Sequence, residues 1–122
     1  MNQKNIFMGI GVLLLLQGIF FYTMSDKVVT DAFPSIDAAG KTSAIPLMQV
    51  MSVLSILVGM ISIAARNTPA VLWAYTIGFG LFIVISLKHL LMDGINVPIP
   101  ALAIQVVIAL ASAYLWMQSK KT

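Results

Sequence analysis

Cysteine and glutamate are both missing from the 122 residues, and charge of either sign is scarce, with charged residues making up 9% of the chain. Without cysteine there are no disulfides, thiolate metal sites, cysteine nucleophiles or CxxC redox chemistry. No pair of acids stands at catalytic spacing within any apolar span, and without glutamate the chain lacks the membrane-embedded glutamate expected of a drug-exporter dimer. Seven Lys/Arg against four acids give a formal charge of +3. That is too sparse for a nucleic-acid footprint, which needs a clustered basic stripe. The short motifs GxSxG, HExxH and the P-loop are absent as well.

Apolar residue is what the chain has in quantity: 60% of it is hydrophobic. Soluble domains carry about 25% charged residues, so a soluble globular fold is excluded, and the lack of a G-x-y repeat or a charge-flanked heptad excludes collagen and coiled coil. At about 20 residues per crossing, four apolar segments fit. The expected fold is an all-α polytopic membrane protein, one domain over 1–122, forming a four-transmembrane-helix up-down bundle. The helices are placed at about 6–24, 46–65, 69–92 and 98–117, with a long outer loop over 25–45. Pro46, Pro69 and Pro98 are read as helix openers, since the missing N–H of proline is harmless in a first turn. Thr68 is expected to cap the third helix ahead of Pro69. The first segment is read as a span rather than a signal peptide, because its apolar run is long and Phe20-Phe21-Tyr22-Thr23-Met24 offers no small-x-small cleavage site. Within the loop, Val29, Ala32, Phe33 and Ile36 recur at helical spacing, which predicts a short amphipathic segment on the membrane surface.

Lys4, Arg66, Lys120 and Lys121 against Lys27, Lys41 and Lys88 place both termini in the cytoplasm under the positive-inside rule. The predicted location is a bacterial inner membrane.

Polar side chains within the spans are costly and mark either packing or a site. Gln17, Gln49 and Gln105, with Ser86, His89 and Asp93 from the third span, fall at one level. Together they form the candidate ligand-binding set. His89 and Asp93 are spaced so that the carboxylate can orient the imidazole or close the helix end. Lys88 sits on an aliphatic face suited to snorkelling. Ser52, Ser55, Gly59 and Ser62 form one small-residue stripe, which Ala101, Gln105, Ala109 and Ser112 answer on the last helix. Gly11 and Gly18 form a third stripe, and all three read as helix-packing surfaces. The glutamines read equally as interhelical glue or as a polar pocket. One histidine beside packing methionines does not assemble a metal set, so neither metal nor cofactor is expected.

Gly11-x6-Gly18, followed by Gly59-x6-Arg66-x2-Pro69-Ala70, resembles the DoxX-like group of small four-helix bacterial membrane proteins. The resemblance implies a compact inner-membrane bundle, in some members associated with redox or quinone-linked systems. It carries no site residue over. The leading functional expectation is a non-enzymatic accessory subunit or homo-oligomeric scaffold that packs through the stripes of the second and fourth spans. A second is a binder or carrier of a small lipophilic molecule, a quinone or a lipid. A third is acid/base catalysis by His89 and Asp93. Stripes facing outward favour the scaffold, and stripes facing inward around an open cavity favour the binder.

Overall fold

The computed structural model describes residues 2–121, and among them there are only helices and their connections. The elements are α1 (Gln3–Thr23), α2 (Ser25–Ala32), α3 (Ala38–Ala64), a single 3-10 turn (Pro69–Val71), α4 (Leu72–Leu91) and α5 (Ile99–Ser119). Four helices are long and apolar enough to cross a bilayer: Gln3–Thr23, Ala38–Ala64, Pro69–Leu91 and Ile99–Ser119. The chain is thus an all-α, multi-pass membrane bundle whose outward side chains meet lipid.

Two antiparallel pairs make up the bundle, α1 on α3 and α4 on α5. Gly11 and Gly18 let α1 approach α3 backbone to backbone. A Cβ built on Gly11 would lie 2.8 Å from the Gly59 carbonyl oxygen, and one on Gly18 would lie 2.6 Å from that of Ser52. Ser55 Oγ donates to the Leu14 carbonyl at 3.0 Å across the same seam. The α3 stripe is therefore filled by α1, not by α5 as its spacing had suggested. Glycine against glycine permits the shortest approach, and α5 has no glycine to offer.

The pairs join at the end that holds both described termini and the α3–α4 turn, hereafter the terminal end. Phe7, Ile10, Leu14, Leu72, Tyr75, Phe79, Ile108 and Leu115 form the buried cluster there. Phe7 stacks on Tyr75 with ring centroids 4.9 Å apart. The Tyr75 hydroxyl meets Ser62 Oγ at 2.7 Å, and Ser62 also donates to the Val58 carbonyl at 2.8 Å, so a buried polar pair is satisfied inside the bundle. Gln3 Nε2 donates to the Thr68 and Ala65 carbonyls at 2.8 and 3.3 Å, tying the start of α1 to the α3–α4 turn.

Three boundaries differ from the sequence reading. First, α3 begins at Ala38, so Pro46 lies inside the helix rather than at its head. Asp37 supplies the true cap, its carboxylate accepting from Gly40 N at 2.7 Å. The helix-forming alanines and Thr42 continue the turn through the proline, a break that membrane helices tolerate. At 27 residues α3 is about 40 Å long, more than an apolar core of about 30 Å requires. Second, the span from residue 25 to 45 is mostly helical, only 33–37 being free of helix. Third, Thr68 occupies the cap position without a side-chain bond, and Pro69 opens a 3-10 turn before α4.

Candidate binding cavity at the loop end

The opposite end, where α2 and the α4–α5 connection lie, is loosely filled. A cavity of about 660 Å³ opens between α1, α2 and the start of α5, walled by Leu13, Leu16, Phe20, Phe21, Val28 and Ile104 among others. Small-molecule sites run from about 300 to 1,000 Å³, so this volume is of ligand size. A second space of about 210 Å³ lies between all four long helices, with Met48, Met51, Phe79, Phe82 and Gln105 in its wall. Gln17, Phe21 and Ala101 line both. Leu16 and Phe20 are exposed on the α1 side, so the larger cavity opens sideways toward lipid.

The floor and the mouth differ in chemistry. Gln17 stands seven residues before Met24, about 10 Å down the helix. Its Oε1 is buried and has no hydrogen-bond partner among the described residues, a status shared only with Ser112 Oγ. At the mouth, Lys27 and Asp31 pair at 2.7 Å, both well exposed. Asn96 closes the far side of the mouth. Its backbone N donates to the Ala32 carbonyl and its Nδ2 to the Asp31 carbonyl, both at 3.2 Å. These two bonds cap the C-terminal carbonyls of α2, which a helix end must otherwise leave open. On the other flank Lys41 reaches Asp26 at 3.4 Å. Ser25 and Val29 are the buried face of α2, so this short amphipathic helix lies across the cavity mouth.

The residues singled out from sequence separate into three groups. Gln17 lines both cavities and Gln105 the smaller one, where its Oε1 accepts from Ser86 Oγ at 3.2 Å and joins α4 to α5. His89 Nε2 lies 3.8 Å from Asp93 Oδ2, and Lys88 Nζ reaches the same oxygen at 3.4 Å, making a partly exposed cluster at the end of α4. Lys88 thus turns to a carboxylate. None of His89, Asp93, Ser86 and Gln49 lines either of these two cavities. Ser52, Gly59, Ser62 and Ser112 are buried within the protomer, while Ala109 is partly buried. Sequence reasoning missed Lys27, Asp31 and Asn96 as cavity residues. The Lys27–Asp31 spacing on an amphipathic segment was visible, whereas nothing local to Asn96 announces a contact 65 residues away.

Comparison with protein-family models, with curated proteins and with solved structures gave no match.

Proposed function

We propose that the chain is a multi-pass membrane protein that binds a small lipophilic molecule in the cavity between α1, α2 and α5. One observation carries this reading: an apolar, laterally open chamber of about 660 Å³ with the Gln17 side chain among its lining. The small-residue stripes support the same choice. Ser52, Gly59, Ser62 and Ser112 face inward, which leaves a scaffold built on them without an outward surface. The bilayer supplies the ligand, and the opening along α1 supplies its route.

Within this reading the protein sits in a bacterial inner membrane with both termini cytoplasmic, and the DoxX-like resemblance is part of the same proposal. A cysteine at Lys41 should then react with an impermeant maleimide on intact cells, and one at Asn67 should not; the reverse pattern would invert the orientation.

The functional test is occupancy. Ala101 is buried and lines both spaces. Ala101→Trp should fill the junction and strip co-purifying lipid from the protein in native mass spectrometry from gentle detergent. Wild-type protein released bare from the same detergent would overturn the proposal.

A further inference from the structure

We propose that Lys4, Arg66, Lys120 and Lys121 make the terminal end of the bundle a binding surface for the phosphate of an anionic phospholipid. The proposal is independent of what the cavity at the opposite end holds.

Charge pairing separates the two ends. At the loop end every cationic side chain has a carboxylate: Lys27 meets Asp31 at 2.7 Å, and Lys41 meets Asp26 and Lys88 meets Asp93, each at 3.4 Å. The remaining aspartate, Asp37, caps α3 at the same end. Those four are the only acidic side chains in the sequence, so the terminal end has none. Lys4, Arg66, Lys120 and Lys121 accordingly form no ion pair among the described residues. Arg66 Nη1 donates to the Ile63 carbonyl at 2.7 Å, a neutral acceptor. Lys120 Nζ lies 4.3 Å from the centroid of the Trp116 ring, a contact that leaves its charge in place.

The fold gathers these cations from three parts of the chain. Gln3 bonds the Ala65 and Thr68 carbonyls, which brings Lys4 to the turn that carries Arg66. Trp116 packs against the buried cluster holding Phe7 and Leu72, so the end of α5 with Lys120 and Lys121 stands there too. Like charges collected in this way repel one another, and an anion is the complement that relieves the repulsion. The bilayer decides which anion is at hand. Trp73 is exposed at the start of α4 and Trp116 is partly exposed near the end of α5. Tryptophan concentrates at head-group depth, where phospholipid phosphates also lie. A phosphate presents several charged acceptor oxygens to ammonium and guanidinium donors. Lys4, Lys120 and Lys121 are exposed and free to reach it. An acidic protein surface would answer the same charges, but the tryptophans beside them favour the lipid.

The test is a competition. The full chain in gentle detergent is offered equimolar dioleoyl phosphatidylglycerol and dioleoyl phosphatidylcholine, which share their acyl chains and differ in head group, and native mass spectrometry reads which is retained. Wild-type protein should favour the anionic lipid by at least about fivefold, the worth of a single Lys or Arg near a charged membrane surface. The ratio should fall as ammonium acetate is raised, because exposed charges are screened. Lys4→Gln, Lys120→Gln and Lys121→Gln together should reduce it to about twofold or less, with arginine at the same three positions preserving it. Lys120→Gln with Lys121→Gln alone, a milder variant should the triple one misfold, should give an intermediate ratio. Lys41→Gln with Lys88→Gln, about 30 Å away along the helices and beyond the reach of screened charge, should leave the preference intact. Equal retention of the two lipids by wild-type protein, or retention of neither, would overturn the proposal and turn the assignment of this patch to an acidic protein. A preference that survives in the glutamine variants, or that falls equally in the loop-end variant, would overturn the role of the terminal end.

Discussion

The two ends of the bundle are built from similar residues and reach opposite outcomes. At the terminal end Phe7 is fully buried against Tyr75, and Ser62 is fully buried with its hydroxyl paired. At the loop end Phe21 is only partly buried, Gln17 is unpaired, and space of ligand size separates the helix pairs. The difference lies in what bridges the pairs. Aromatic rings and a hydroxyl pair span the seam at one end. At the other, the bridge is a short surface helix held by Asn96, with a cavity beneath it. In lipid, where apolar side chains gain little by leaving their solvent, packing contacts decide stability. The filled end therefore holds the fold, and the open end is free to hold something else.

The sharpest way to break this comparison is to truncate one phenylalanine at each end. Phe7→Ala should cost about 3 kcal/mol, because a fully buried ring leaves a void its neighbours cannot close. Phe21→Ala, which only enlarges existing space, should cost about 1 kcal/mol or less. Thermal melting in detergent reads both, and equal losses would mean that the ends are not distinct.

A second pair sharpens the contrast between a helix face against protein and one against lipid. Gly18→Leu drives a side chain into the α3 backbone and should cost about 2–3 kcal/mol. At Gly78 an added Cβ meets nothing within 4 Å, so Gly78→Leu should shift stability by no more than about 0.5 kcal/mol. A comparable fall at Gly78 would reveal a partner on the α4 face.

The third test, Tyr75→Phe, probes the terminal end alone. It removes the hydroxyl paired with Ser62, yet Ser62 keeps its bond to the Val58 carbonyl, so the loss should be about 0.5–1.5 kcal/mol in the same melting assay. No loss at all would remove the hydroxyl pair from what distinguishes the terminal end.

Much of the fold is legible in composition and periodicity, because a bilayer demands about 20 apolar residues per crossing and the chain meets that demand four times. The stripes of Gly11, Gly18, Ser52 and Gly59 are equally legible as packing surfaces, though their pairing is not. Spacing shows which face is small, and only the geometry shows that α1 rather than α5 fills it. Pro46 misled for a local reason, since proline marks a first turn in most contexts and a tolerated break in a few. The candidate site was half legible. Gln17 stands out as an amide in a hydrocarbon span, but its level on the helix grouped it with His89 and Asp93. These instead form a surface cluster with Lys88. Helical level gives depth and leaves out the rotation about the bundle axis, and that rotation puts Gln17 toward α2 and α5.

The latch from Asn96 to the end of α2 also fixes an order of events during synthesis. Its partners stand 65 residues apart, with two spans between them. At about 5–20 residues per second, roughly 3–13 seconds pass after Asp31 is made before Asn96 emerges. Until then α2 has only α1 and α3 to rest on, and the mouth has no far side. The cavity at the loop end is thus completed only after three of the four crossings have been synthesised, when the α4–α5 connection and the first turns of α5 arrive.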